Sequence, residues 1–399
     1  MVRQHKIIFD PIPFKGGSKI ATSEILALCD KQSTRFTVMT VDANFWQESE
    51  LAKQQSVNIV RLYSLPWLSR QVHGLAFWLN QAYFAIMLLL CLMFRRQTHG
   101  FIAASGPGID MPVYLVNLLF NKPIIQLIHG NVAASAAIGW CLTRAHKVFY
   151  LPSTKQSLKL ALARYLDKRY HITDNEYVSE TCLNSDRFAS FVNGISAANW
   201  PTQSQTSEGK FLWAASLLKW KGLERYITAV RLAQRHHPIK SNICYIEPKN
   251  IQLGISKAPV SLPLTNWFHD PYNFDQLRSD CSVFVSTSEN EPFGLSILEA
   301  LAAGMCVVIP QDGSYWDQTL VHGKNCMKYT AKDESALYKT LLFLQLNPNE
   351  RRAMQRHASH VAKRYCAEHC YQHIVESVSC AATTLSNDSS SLHNVKKSL

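Results

Sequence analysis

Short runs of Val, Ile and Phe, bounded by polar or Gly/Pro residues, recur through the first half of the chain at 6–9, 36–41, 57–63, 101–104, 123–128, 147–151 and 188–192. Runs of this length and composition predict strands. Stretches of helical length lie between them; at 18–28, Ala21, Ile25 and Leu28 stand at i, i+4 and i+7 on one face. Strand alternating with helix predicts a parallel sheet covered on both sides. The alternation stops at the polar stretch 201–210, which has no hydrophobic period, and then restarts. Strands are predicted at 211–215, 243–246, 283–285 and 306–309, and helices at 222–235, 292–303 and 334–346. A last helical stretch covers 348–382. The fold class predicted is α/β, with an N-terminal domain at 1–200, a linker at 201–210 and a second domain at 211–365. A helix at 366–382 is expected to pack back on the first domain, ahead of a disordered Ser/Asn/Asp-rich tail at 383–399.

The segment 75–94 departs from the pattern: twenty residues without a charge, followed by Arg95-Arg96. By length it is a membrane-span candidate. Asn80, Gln81 and Tyr83 interrupt it, and it sits between two strand-like runs where a parallel sheet needs a crossover helix. Three readings stay open: a buried or half-buried crossover helix, an interfacial helix touching lipid, and a span. A span would put the flanking strands on opposite sides of a bilayer.

Composition narrows the choice of partner. The 399 residues carry a formal net charge of +12. Residues 51–150 hold eight Lys/Arg (Lys53, Arg61, Arg70, Arg95, Arg96, Lys122, Arg144, Lys147) and a single acid, Asp110. Such a surface suits an anionic partner, and no nucleic-acid module is recognisable. The eleven cysteines contain no CxxC pair and mostly have apolar neighbours, which points to a reducing compartment. The start of the chain has no apolar leader, so a cytoplasmic protein is expected, peripheral on the inner face of the membrane.

The strongest chemical signal is Glu291-Pro-Phe-Gly-Leu-Ser-Ile-Leu-Glu299, followed by Ala300-Leu-Ala-Ala-Gly304 and a strand. On a continuous helix, acids eight apart lie near one face. Phe293-Gly294-Leu295 offers free backbone N–H groups at the helix start, a ready site for a diphosphate. Glu299, set among apolar residues, is able to accept both hydroxyls of a ribose.

These residues, with the strand before them, resemble the retaining GT-B glycosyltransferases of family 4, the Glu-x7-Glu type. The resemblance spans about residues 5–365, strongest in the second domain. It implies two Rossmann-like domains facing across a cleft, the first binding acceptor and the second a nucleotide-sugar donor. It places Glu299 on the nucleotide ribose, Glu291 near the reacting centre and Phe293, Gly294 and Leu295 at the donor diphosphate. Lys219-Trp-Lys-Gly222 is similar to the family's Arg-x4-Lys-Gly element, in which two cations neutralise the leaving diphosphate. Lys221 matches; Ser216 stands where the family has Arg, and Lys219 is the substitute. Gly16-Gly17 after the first strand falls at the family's donor-phosphate loop. His129 falls at a position near the donor sugar, where it positions and stabilises more than it shuttles protons. Ser105-Gly106 falls on the acceptor side, and Asn193-Gly194 is a turn with a hinge role. Asp317 replaces a Glu of the family's donor-side turn, and the stretch from Tyr245 to Lys249 departs from the family's Gly-rich turn.

The chemistry implied is retaining transfer of a hexose from a nucleoside-diphosphate sugar to a glycan or lipid-linked acceptor, in cell-surface polysaccharide or glycolipid biosynthesis. Glu291, His129 and Lys221 are the catalytic candidates. No Asp-x-Asp or HExxH spacing occurs, so neither metal nor cofactor is expected. Two alternatives remain: a sugar-nucleotide epimerase or phosphorylase of the same fold, and a non-catalytic membrane-associated binding protein.

Overall fold

The computed structural model describes residues 3–69, 71, 73–95, 97–171, 175–206, 208–234, 237–248 and 253–380. Arg70, Arg96, Arg235, Lys249 and the tail at 383–399 lie outside the described residues. The chain forms two compact units, Met1–Val192 with Cys370–Leu399, and Asn193–His369.

The first unit contains a seven-stranded parallel sheet. Its strands are β1 (Gln4–Asp10), β2 (Thr34–Thr40), β3 (Asn58–Arg61), β4 (Gly100–Ala103), β5 (Ile124–Ile128), β6 (Lys147–Tyr150) and β7 (Phe188–Ser190), in the order β3-β2-β1-β4-β5-β6-β7. The second unit has six parallel strands: β8 (Lys210–Ser216), β9 (Lys240–Ile246), β10 (Thr265–His269), β11 (Val283–Val285), β12 (Cys306–Gln311) and β13 (Met327–Thr330), in the order β10-β9-β8-β11-β12-β13. The central strands read as unbroken apolar runs because both faces are covered: Ile7, Ile8 and Phe9 are all fully buried. Each sheet is doubly wound and reverses its strand order once, between β1 and β4 and between β8 and β11. Parallel α/β sheets bind ligands at such reversals, because adjacent connections leave in opposite directions and open a crevice at the strand C-termini.

All eleven strands expected from the sequence form. β10 and β13 were not foreseen, and the reason is physical. They are the two edges of the second sheet, so their sequences Thr-Asn-Trp-Phe-His and Met-Lys-Tyr-Thr carry polar residues that a central strand excludes. The polar stretch 201–210 is not a free tether. Its Thr202 bonds to Asp275, Gln203 Nε2 donates to the Ala302 carbonyl and the Ser204 amide to the Ala303 carbonyl. The last helical stretch is broken into Pro348–Ala362, Ala367–Cys370 and Gln372–Ser379. The break coincides with a bridge in which the Ile195 amide donates to the Tyr365 carbonyl and the Ala367 amide to the Ile195 carbonyl.

Among the described residues one helix, Gly74–Phe94, is long and apolar enough to cross a membrane. It connects β3 to β4, and both strands belong to one sheet, so it is a crossover helix and not a span. Phe84, Leu88 and Leu92 face the sheet, Phe84 meeting Phe9 edge-on at 6.0 Å, while the opposite face is exposed.

That face assignment is testable with two substitutions two residues apart. Leu88→Ala empties a fully buried site and should cost about 2–5 kcal/mol in denaturant unfolding. Ile86→Ala, at a side chain 57% exposed, should stay within about 0.5 kcal/mol. Equal costs would reverse the assignment.

Candidate active site

In the second unit the loops after β8 and β11 meet at the strand-order reversal. Trp213, within β8, donates through its indole N–H to Thr287 Oγ1 at 2.9 Å. Thr287 Oγ1 in turn donates to the Lys221 carbonyl at 2.8 Å. Arg225 closes the other side, donating to the Thr287 carbonyl at 2.9 Å and to Glu289 at 2.7 Å, and the Glu289 amide donates to the Trp220 carbonyl. Gly222 lies between the loops with φ +72°, and a Cβ there would stand 2.3 Å from the Thr287 carbonyl oxygen. The glycine of the motif is therefore required by the fit of the two loops.

This frame holds Lys221 against Glu291, their charged ends in direct contact and both side chains mostly buried. Lys221 Nζ also lies 4.1 Å from the centroid of the Trp220 ring. Lys219, the substitute for the missing Arg, is exposed and rests its aliphatic stem on Gly254. Ser216 closes β8 half-buried.

The Glu-x7-Glu segment differs from the expected continuous helix. The helix runs Leu295–Ala302, three residues shorter at its start than predicted, because Gly294 takes φ +83° and interrupts it. Glu291 is thus off the helix, and the expectation that both acids share a helical face does not hold. Glu291 goes to Lys221, whereas Glu299 accepts from Arg278 Nη1 at 2.6 Å. Arg278 is itself buried, stacks on Phe274 and donates to Asp275 at 2.5 Å. The first amides of the helix, those of Leu295 and Ser296, lie ahead of the intrahelical bonds that begin when Ile297 and Leu298 donate to the Gly294 carbonyl. Phe293 is buried in a cluster with Tyr315, Trp316 and Tyr365, and Trp316 Nε1 donates to the Gly294 carbonyl at 3.2 Å. Phe293 thus anchors the turn. Asp317 accepts from the Gly313 amide and pairs with Lys328 at 2.9 Å, which holds its carboxyl below the usual range against the opposing effect of burial.

In the first unit the equivalent reversal carries a buried polar cluster that no motif announces. Asp10, at the end of β1, accepts from Trp46 Nε1 at 2.7 Å, Thr40 Oγ1 at 3.2 Å and Ser105 Oγ at 3.3 Å. Lys19, almost fully buried, pairs with Asp10 at 3.1 Å and Asp42 at 3.2 Å and donates to the Ile12 carbonyl at 2.6 Å. Their shared cation fixes the loop bearing Gly16 and Gly17, the glycines that open helix Gly17–Ala27. A small depression here is lined by Asp10, Lys19, Thr22 and Ser105. Gly106 follows with φ +98°, and Asp110 accepts from the Ser105 amide and from Gln126. Asp110 is completely buried, and desolvation pushes its carboxyl well above the ordinary range. Asp10, Lys19, Asp42, Arg225 and Arg278 were all missed from sequence. The one available signal was an acid at the C-terminal end of the first strand.

His129, at the end of β5, bonds to Thr22 Oγ1 through Nε2 at 3.2 Å and packs edge-on against Phe191. An edge of the residue reaches the surface, yet Nδ1 is buried. Burial lowers its pKa from 6.5 to about 4, so the ring is neutral at pH 7.

Residues 196–361 match the family described as glycosyl transferases group 1. No curated protein matches the chain. Among solved structures, the Anabaena HepE protein in complex with UDP-glucose is similar at 16% identity and a TM-score of 0.68, covering 94% of this chain and all of that one. A glycosyltransferase from Rickettsia africae gives 14% and 0.64 over 95% and 99% of the two chains. Sucrose-phosphate synthase from Thermosynechococcus elongatus gives 14% and 0.64 over 93% and 97%. The two parallel-sheet units are those of the GT-B fold.

The state of His129 makes stability depend on pH in a defined direction. Between its free value of 6.5 and about 4, the unfolded chain binds a proton that the folded chain does not, so stability falls as pH drops through that window. His129→Gln removes this contribution. Its thermal midpoint should fall less than that of the wild type on going from about pH 7 to about pH 4.5. Parallel curves would show that His129 titrates normally.

Proposed function

We propose that this chain, which carries a group 1 glycosyltransferase domain, is a retaining hexosyltransferase of family 4. It moves a hexose from a nucleoside-diphosphate sugar to a glycan or lipid-linked acceptor in cell-surface polysaccharide or glycolipid biosynthesis. The observation that carries this reading is the Lys221–Glu291 pair, held at the strand-order reversal beside the Gly294 helix start, within the matched segment. One cation, one carboxylate and two amides that precede the first intrahelical bonds belong to the loops at this reversal, groups that suit a diphosphate-linked sugar.

In this reading the amides of Leu295 and Ser296 take the donor diphosphate with the helix dipole behind them. Lys221 leaves Glu291 for the phosphate that departs, where negative charge grows as the bond from the sugar's anomeric carbon breaks. Glu291 is then free beside the developing positive charge on the sugar. The acceptor hydroxyl forms the new bond on the same face and passes its proton to the leaving phosphate. Glu299 takes the ribose; Arg278 holds Oε2 and so orients Oε1. Gly16, Gly17 and His129 serve the donor and Ser105 and Gly106 the acceptor, with Lys219 completing the phosphate charge in place of an Arg at Ser216. The protein acts from the inner face of a membrane, with an anionic lipid surface as its second partner.

Retention is tested by the anomeric configuration of the first product seen by NMR; inversion would refute it. Glu299→Ala should weaken nucleoside-diphosphate binding by about 2–3 kcal/mol in calorimetry, since it removes charge-assisted bonds to the ribose; unchanged affinity would remove that role. Lys221→Ala should lower kcat more than donor affinity. The double variant Lys219→Ala/Lys221→Ala should lose much more than either single one. Small additive losses would put the phosphates elsewhere.

A further inference from the structure

Helix Gly74–Phe94 buries Phe84, Leu88 and Leu92 together with two amide side chains, and it leaves a second apolar face exposed. Asn80 and Gln81 point into the unit, and their side-chain oxygens are buried without a hydrogen-bond partner among the described residues. The outer stripe is Leu75, Leu79, Ile86, Leu90 and Met93, separated by four, seven, four and three residues and so on one face, with Trp78 beside Leu79, all of them exposed. A stripe of twenty residues is about 30 Å long. Burying two amides costs free energy, and leaving leucines in water gains none, so core packing does not account for this arrangement.

Within residues 51–150 the exposed charge has one sign. The only acid in residues 51–150 is Asp110, and it is fully buried, so this stretch gives the surface no carboxylate. Helices Gly74–Phe94 and Met111–Phe120 each lead from one strand to the next parallel strand, so they run the same way and end together. At that end Phe94 is 88% and Leu119 73% exposed. Arg95 caps the first helix, and Lys122 follows the second. Arg35 joins them, donating to Gln97. The fields of Arg35 and Arg95 reach His5, and those of Arg35 and Lys122 reach His99, and both imidazoles are lowered, chiefly by burial and further by these cations.

The geometry points to a docking surface for an anionic lipid bilayer. Helix Gly74–Phe94 lies flat in the interface with its stripe among the acyl chains, and Arg35, Arg95 and Lys122 face the lipid phosphates. This rests on the peripheral placement proposed above and names the surface that carries it. A bilayer is favoured over a second copy of the chain because two such faces would set cation against cation.

The test is flotation with vesicles of phosphatidylcholine alone, or mixed equally with phosphatidylglycerol, at low and high salt. The proteins are the wild type, Ile86→Glu/Leu90→Glu and Arg95→Gln/Lys122→Gln. Thermal midpoints check that the exposed substitutions leave the fold intact. The wild type should float only with the anionic vesicles, and salt should release it. Each double variant should bind about tenfold or more weakly. Variants that float like the wild type would move the contact to another face and overturn the proposal, as would a wild type that binds no vesicle. A dimer in solution that Ile86→Glu/Leu90→Glu dissociates, without flotation, would make a second copy the occupant and likewise overturn it. Donor cleavage measured without vesicles should be equal in all three proteins. Its absence from the wild type would count against the transferase reading and leave the surface standing.

Discussion

A parallel strand buried on both faces admits a polar side chain only where a partner meets it, as Tyr114 and Asp110 meet Gln126, and this constraint organises both units. The charged pairs of the two candidate clusters lie beyond the C-terminal ends of the strands, where the order reverses. In the second unit that is the gap between β8 and β11, with Lys221 and Glu291. In the first it is the gap between β1 and β4, with Asp10, Lys19 and Ser105. The rest of each unit serves to hold these loop ends rigid: Trp213 and Thr287 on one side, Trp46 and Asp42 on the other.

Three charged candidates of the second unit are already paired. Lys221 has Glu291, Glu299 has Arg278, and Asp317 has Lys328. On the proposed reading, a ligand carrying two phosphates exchanges partners at Lys221. The free energy of its attraction to Lys221 is reduced by the pair it breaks, which favours interactions that strengthen only as the phosphate gains charge.

Sequence reading recovered what depends on local pattern. The central strands show as apolar runs. It missed what depends on pairing across distance. Edge strands β10 and β13 are polar because their outer sides have no neighbour. Arg278 lies twenty-one residues from Glu299 and Lys19 twenty-three from Asp42, separations that no periodicity encodes. The half-buried state of helix Gly74–Phe94 was undecidable from composition, since a lipid-facing and a sheet-facing leucine look alike; only its place between β3 and β4 resolves it.

The left-handed Gly294 has a consequence for descent as well as for geometry. It divides the two acids between separate bodies: Glu291 belongs to a loop clamped by Lys221, Glu299 to a helix pinned by Arg278. A shift in one body need not be transmitted to the other through a continuous helix. On the proposed reading these are the sugar end and the nucleoside end of the donor, so the two are free to drift independently, and a lineage could acquire a new hexose while keeping its old base.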